Sequence, residues 1–158
     1  KGVCKLLGME VVTPSGATGG VDSDLLAKAK EVVRYYKRDY DLIYMHVKGT
    51  DSASHDGRAD LKVKVIERLD KALNYILSNI DLGEVVLMFG GDHATPLTVR
   101  DHTGDPVPIA IYAPYIISDD VITLNERTAR KGGLGILRGE DLFNIVLDLA
   151  NRRDKFGA

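Results

Sequence analysis

The sequence has one cysteine, no tryptophan and no long apolar run, and these shortages exclude several kinds of protein. A single thiol, Cys4, cannot form an internal disulfide, so the chain is not a disulfide-stapled secreted domain. A membrane-spanning helix needs about 20 consecutive apolar residues, and no run approaches that length. We therefore expect a cytoplasmic protein that makes no membrane contact.

An excess of charge of either sign is also lacking. Lys and Arg together number 21 and Asp and Glu 23, which gives a formal net charge of −2. Because nucleic acids attract basic surfaces, we expect no nucleic-acid partner. With 158 residues, 44% of them hydrophobic, the chain has the size and composition of one soluble globular domain.

Short apolar runs alternate with segments of helical periodicity, which is typical of an α/β domain. The run at 41–47 is nearly continuous in apolar residues and predicts a central strand buried on both faces. The strand at 107–113 is expected to run antiparallel to its neighbours. The full set of predicted strands is 8–13, 41–47, 84–89 and 107–113, and the predicted helices are 22–36, 58–78, 125–131 and one from Gly139 onward.

Two of these helices carry more detailed predictions. Asp22-Ser23 is predicted to cap the first helix. The inner stripe of helix 58–78 is predicted to consist of Val63, Ile66, Leu69, Leu73, Ile76 and Leu77.

Carboxylate and imidazole side chains follow the second and third predicted strands in glycine-rich loops. Asp51 and His55 are four residues apart, which puts both on one side of a helical turn or a tight loop. Asp92 and His93 follow the next strand, and His102 comes shortly after. Since loops at strand ends form the ligand crevice of open α/β sheets, the five side chains predict a metal centre. Taken singly, Asp92 could instead be a helix N-cap and His102 a surface turn residue.

The ligand chemistry suits Mn²⁺ or Zn²⁺, with Mg²⁺ and Co²⁺ as alternatives. Five ligands are too many for one catalytic ion that keeps an open position and too few for two ions. We therefore expect two divalent cations, with further ligands outside this chain.

Four other features have a functional and a plain interpretation. Lys48 could contact a substrate phosphate or be a solvated lysine, and Asp105 could orient the His102 loop or stabilise the turn before Pro106. His46, on a predicted strand, favours a core histidine. The glycine-rich segment 16–20 could cradle phosphate but lacks the lysine of a P-loop, so a tight turn is favoured.

Four segments carry a family resemblance: GATGG (16–20), HVKGTDSASHDG (46–57), GDHATP (91–96) and DHTGDPVP (101–108). Together they resemble the archaeal type of cofactor-independent phosphoglycerate mutase, a family of the alkaline phosphatase superfamily. The similarity covers the whole chain. It implies a three-layer α/β/α sandwich with a mostly parallel central sheet, incomplete here. Residues 1–158 would be the C-terminal part of the metal-binding domain, with the N-terminal part and the inserted substrate domain absent.

By this resemblance Asp51, His55 and His102 would hold one metal, and Asp92 and His93 the second. An Asp and a nucleophilic Ser further upstream in the family have no counterpart here, so this chain alone is expected to be inactive. The whole enzyme would interconvert 3-phosphoglycerate and 2-phosphoglycerate through a phosphoserine intermediate, in glycolysis and gluconeogenesis.

Two other functions stay open from the sequence. A metal-dependent phosphatase or phosphodiesterase of the same superfamily would share every ligand and pass the phosphoryl group to water. A non-catalytic metal-binding module would keep the fold without the chemistry. The sequence also leaves a homo-oligomer open as an alternative to a monomer.

Overall fold

The computed structural model describes residues 1–38 and 40–154, which divide into two compact units. Unit 1 comprises Lys1–Ile80 together with Thr95–Asp101, and unit 2 comprises Asp81–Ala94 together with the described residues that follow from His102 to Asp154. The described elements of unit 1 are helices, whereas unit 2 contains a small sheet, a 3₁₀ turn and one helix. The predicted α/β class is confirmed at the level of content.

Unit 1 contains helices α1 (Gly2–Leu6), α2 (Leu25–Tyr36), α3 (Gly49–His55) and α4 (Ala59–Leu77). Helix α2 begins after Asp24, whose carboxylate accepts a hydrogen bond of 2.8 Å from the backbone N–H of Ala27. The N-cap is therefore Asp24, the residue directly after the predicted Asp22-Ser23, so that prediction is wrong. Helices α2 and α4 are nevertheless found where their amphipathic periods predict them.

The core of unit 1 lies between α2 and α4, where small residues allow a close approach. Its buried members are Leu25, Ala29, Val65, Ala72 and Ile76. Helix α4 has apolar residues on more than one face. The face that packs against α2 is the one that carries Ala72, which lies in the same core as Ala29 of α2. The predicted inner positions Val63 and Ile66 are 54% and 49% exposed, so that part of the predicted stripe is wrong.

No strand forms at 8–13 or at 41–47, so both of these predictions are wrong. In the second segment half-buried and exposed side chains alternate, and Leu42 and Tyr44 are 49% and 59% exposed. A strand is defined by its pairing, and the two strands of the described residues pair with each other. Segment 41–47 is therefore partly buried on one face only, whereas burial on both faces was predicted.

Unit 2 contains β1 (Leu87–Gly90) and β2 (Ile109–Tyr112), which pair antiparallel with Leu87 opposite Tyr112. This confirms the antiparallel orientation expected for 107–113, although the sheet itself has two strands and is not mostly parallel. Gly90 is required at the end of β1, because a Cβ there would lie 2.7 Å from the carbonyl oxygen of Pro108.

The rest of unit 2 is a 3₁₀ turn at Ala129–Lys131 and helix α5 (Gly139–Leu149). The turn replaces most of the helix predicted at 125–131, whereas α5 starts at the predicted Gly139. Across the described part of the chain, none of the helices has the length and apolar character needed to cross a bilayer.

Candidate metal centre

Helix α3 places Asp51 and His55 one turn apart in unit 1. Its first residue, Gly49, enters the helix against the core, because a Cβ there would lie 3.0 Å from the Gly20 carbonyl oxygen and 3.2 Å from Val65 Cγ1. The Nε2 atom of His55 lies 3.2 Å from Oδ1 of Asp51. The spacing of four therefore does what the sequence predicted, and both side chains share one face of a helical turn.

The ring of His55 is oriented by a backbone carbonyl. Its Nδ1 atom lies 2.8 Å from the carbonyl oxygen of Arg100. A neutral imidazole that donates from Nδ1 keeps a lone pair on Nε2, which is the usual way a ligating histidine is fixed. Arg100 and Gly57 both have positive φ, 58° and 65°, and a Cβ on Gly57 would lie 2.6 Å from the Arg100 guanidinium. With this backbone geometry the Arg100 carbonyl oxygen lies within hydrogen-bond distance of His55 Nδ1.

The carboxylate of Asp51 has a hydroxyl partner. Thr95 Oγ1 donates to Asp51 Oδ1 at 3.0 Å, and Thr95 is 7% exposed. The ammonium group of Lys62 donates to the Thr95 carbonyl oxygen at 3.2 Å and to Ser54 Oγ at 2.7 Å. Ser54 is fully buried and donates in turn to the Thr50 carbonyl oxygen. These contacts link α3, α4 and the segment 95–101 around Asp51.

In unit 2 a backbone pairing brings two imidazoles side by side. Ala94 and Thr103 form an isolated antiparallel bridge, with the Thr103 N–H donating to the Ala94 carbonyl oxygen at 3.1 Å. The ring centroids of His93 and His102, which flank this bridge, lie 4.0 Å apart. His93 Nε2 also lies 3.9 Å from Oδ2 of Asp92. Unit 2 therefore groups a carboxylate with two imidazoles.

The donor atoms of each unit fit a divalent cation. Unit 1 offers a carboxylate oxygen and an imidazole nitrogen whose tautomer is set by a carbonyl, and unit 2 offers one carboxylate and two imidazoles. Mixed oxygen and nitrogen ligation suits Mn²⁺ and Zn²⁺. Neither set by itself has enough donor groups to complete the shells of two ions.

The remaining candidates, Lys48, Asp105 and His46, are not among the five candidate metal ligands. Lys48 is exposed and directly precedes α3, and its role in substrate binding stays a prediction. Asp105 accepts a 2.7 Å hydrogen bond from Thr103 Oγ1, which places it in the turn. His46 is exposed and stacks on Tyr44 with ring centroids 6.2 Å apart, so its prediction as a core histidine is wrong. The predicted buried strand that would have covered it does not form.

The segment 16–20 forms a tight turn ahead of α2. Gly16 has a φ of 76°, a value that favours glycine, and its carbonyl oxygen accepts from the Asp24 N–H at 2.9 Å. Ser23 Oγ donates to the Thr18 carbonyl oxygen at 2.9 Å. The interpretation as a turn is confirmed.

Two further residues near Asp51, Lys62 and Thr95, were not predicted from the sequence. One signal could have found Lys62: it lies three residues before Val65, on the same stripe as Leu69, Ala72 and Ile76. A lysine on the buried stripe of an amphipathic helix needs a polar partner. Thr95 carries no such signal, because its contact with Asp51 depends on the tertiary fold.

Several known proteins are similar to this chain. The family model of the metalloenzyme superfamily matches residues 1–149. The 2,3-bisphosphoglycerate-independent phosphoglycerate mutase of Saccharolobus islandicus (strain L.S.2.15) is 54% identical over 159 residues, which cover 100% of this chain and 38% of that protein. The protein of the same name from Ignicoccus hospitalis is 52% identical over 99% of this chain and 37% of its own length. A solved structure of a Pyrococcus horikoshii protein superposes with a TM-score of 0.94 at 47% identity, over 99% of this chain and 47% of that one.

This chain thus spans 37–47% of the length of these relatives, which is less than half in each case. The match to the family model includes all five candidate ligands, from Asp51 to His102. Together with the carboxylate and imidazole groups of the two units, that match identifies the broad class: the chain belongs to the metalloenzyme superfamily.

Proposed function

We propose that the complete protein is a cofactor-independent phosphoglycerate mutase that interconverts 3-phosphoglycerate and 2-phosphoglycerate in the cytoplasm. The observation that carries this proposal is the 54% identity to a protein of that name over the entire chain, both ligand groups included. The substrate would be a small phosphorylated acid. No nucleic-acid or membrane partner is proposed, and a homo-oligomer stays an alternative to a monomer.

The five ligands are proposed to bind two divalent cations. Asp51, His55 and His102 would hold one ion, and Asp92 and His93 the other, together with an Asp and a Ser outside this chain. Mn²⁺ and Zn²⁺ fit this donor set best, ahead of Mg²⁺ and Co²⁺.

The complete fold is proposed to be a three-layer α/β/α sandwich with a mostly parallel sheet. This chain would be the C-terminal part of the metal-binding domain, and the N-terminal part and inserted substrate domain would lie outside it. The exposed Leu42 and Tyr44 support this proposal, since additional strands would cover large apolar side chains of this kind.

In the reaction, the residues of this chain position groups rather than form covalent bonds. The Arg100 carbonyl would hold His55 in the tautomer that ligates through Nε2, and the Thr95 hydroxyl orients the Asp51 carboxylate. Bound divalent cations supply charge neutralisation at phosphoryl oxygens and lower the pKa of a coordinated hydroxyl. The nucleophilic serine that forms the phosphoserine would come from outside this chain, and Lys48 would contact the substrate phosphate.

Product analysis tests the proposal against the phosphatase alternative. The full-length protein, loaded with Mn²⁺, is given 3-phosphoglycerate, and ³¹P NMR follows 2-phosphoglycerate and inorganic phosphate in the same sample. The mutase produces 2-phosphoglycerate up to its equilibrium share with little free phosphate. Release of free phosphate without 2-phosphoglycerate would make the protein a phosphatase, and no turnover at all would favour a non-catalytic module.

Two aspartates of the α3 region, Asp51 and Asp56, provide matched variants for this assay. Asp51→Asn is expected to lower the rate by about 100-fold or more, because it removes a charged ligand. Asp56→Asn changes an exposed carboxylate just past the end of α3 and is expected to retain the wild-type rate. Equal rates for the two variants would remove Asp51 from the site.

A further inference from the structure

We infer that Thr95 and Lys62 are positioning residues that fix the carboxylate of Asp51 for cation binding. The inference rests on the proposed function in one respect, since it takes Asp51 to be a metal ligand. It adds two residues of unit 1 that are not themselves proposed ligands.

The first step is the contact between Thr95 and Asp51. Oδ1 of Asp51 lies 3.0 Å from the Thr95 hydroxyl and 3.2 Å from His55 Nε2. Thr95 is almost fully buried, so its hydroxyl has one well-defined direction. A donor held in this way restricts rotation of the Asp51 carboxylate about its χ angles. The conformational entropy of the Asp51 side chain is then lost when the protein folds and not when the metal binds.

The second step is the link from Lys62 to Thr95. The Lys62 ammonium donates to the Thr95 carbonyl oxygen at 3.2 Å and to Ser54 Oγ at 2.7 Å. Ser54 is fully buried within the turn of α3 that carries Asp51 and His55. One cation from α4 thus holds both the backbone of the residue that donates to Asp51 and the helix from which Asp51 projects.

The third step is energetic and separates positioning from plain stabilisation. Lys62 is half-buried on the apolar stripe of α4, and its partners are a neutral hydroxyl and a neutral carbonyl. Partial burial of an ammonium group costs solvation free energy, and a nonpolar side chain of similar length at such a place is often neutral or stabilising. Lysine at position 62 is therefore better explained by the geometry that it imposes on Thr95 and α3 than by stability.

The test measures Mn²⁺ affinity of the full-length protein by titration calorimetry, together with the melting temperature of the metal-free protein. Thr95→Val removes the hydroxyl at constant shape and is expected to weaken binding at the Asp51 ion by about tenfold. Thr95→Ser retains the hydroxyl and is expected to bind within about twofold of wild type. Lys62→Met is expected to weaken binding by about tenfold, with the metal-free melting temperature unchanged or raised.

Lys64→Met is the matched control, because Lys64 is an exposed lysine on the same helix. Its Mn²⁺ affinity should equal that of wild type. If Thr95→Val does not fold, Lys62→Met supplies the same comparison.

Three results would overturn the inference. They are wild-type Mn²⁺ affinity in Thr95→Val and Lys62→Met, equal losses in Thr95→Val and Thr95→Ser, or a lowered melting temperature without any change in affinity. Absence of Mn²⁺ binding by the wild-type protein would also overturn it. Failure of the mutase proposal would be a separate result. If the protein released phosphate and formed no 2-phosphoglycerate, the Mn²⁺ affinities of the variants would still test the roles of Thr95 and Lys62.

Discussion

Glu10 forms a small anchor in unit 1 that involves two tyrosines. Its carboxylate accepts a 2.5 Å hydrogen bond from the Tyr35 hydroxyl and another from the Tyr40 hydroxyl, and the two rings meet edge to face with centroids 5.1 Å apart. The Tyr35 and Tyr40 hydroxyls, in that order, lower the pKa of Glu10, because they stabilise the charged form. The same bonds raise the pKa of both tyrosines. The anchor ties the segment before the 16–20 turn to the end of α2.

Replacement of Glu10 by Gln should lower stability in a pH-dependent way. Because the folded-state pKa of Glu10 lies below its ordinary value of 4.5, its contribution is present above that value and is lost as pH falls through the lowered pKa. Circular dichroism melts of wild type and Glu10→Gln from about pH 7 to about pH 3 should therefore show a difference in midpoint that shrinks toward the acid end. Glu126→Gln, at an exposed position, serves as the control. A difference that stays constant over this range would exclude the carboxylate as its source.

Among individual residues, the sequence predicts the candidate ligands better than the side chains and backbone contacts that position them. The spacing of Asp51 and His55 implies a shared helical face, because helical geometry is local, and α3 confirms it. The closeness of His93 and His102 depends on the backbone bridge between Ala94 and Thr103, which no periodicity encodes. The assignment of all five to metal ions stays a prediction.

At the scale of elements, helices were predicted with more success than strands. Helices α4 and α5 have a local 3.6-residue period that the sequence displays directly. Strands at 8–13 and 41–47 would need partners, and partners are set by chain segments distant in sequence. Helix α1 was missed because its apolar side chains are mostly exposed, so that no buried stripe marks it.

Two glycines that begin helices offer a direct test of the packing around α3. Gly49→Ala should destabilise the protein by about 1–3 kcal/mol, since the new Cβ would meet the Gly20 carbonyl oxygen at 3.0 Å and Val65 Cγ1 at 3.2 Å. Gly139→Ala, at the first residue of α5, meets nothing within 4 Å and should be neutral or stabilising by up to about 1 kcal/mol.

Urea unfolding measured by circular dichroism gives both values from one kind of experiment. Equal effects of the two substitutions would show that α3 is not held against the core at Gly49. A lower free energy of unfolding for Gly139→Ala, with no change for Gly49→Ala, would contradict the described environments of both glycines.

At the scale of the whole molecule, the α/β class was predicted and the extent of the sheet was not. The described residues form two antiparallel strands, and the sequence had indicated a larger and mostly parallel sheet. The chain spans 38% of the length of its Saccharolobus islandicus relative, and further strands of the sheet are proposed to belong to the rest of the protein. Exposed apolar residues such as Leu42, Tyr44, Val63 and Ile66 are candidates for burial there.

The central claim is that this chain supplies five ligands to a pair of divalent cations. Its most direct test is the number of Mn²⁺ ions that the full-length protein retains after equilibrium dialysis, counted by inductively coupled plasma mass spectrometry. The account predicts two ions per chain for wild type and for Asp56→Asn, and one ion for the double variant Asp51→Asn, His55→Gln. No retained ion in wild type, or two ions in the double variant, would contradict it.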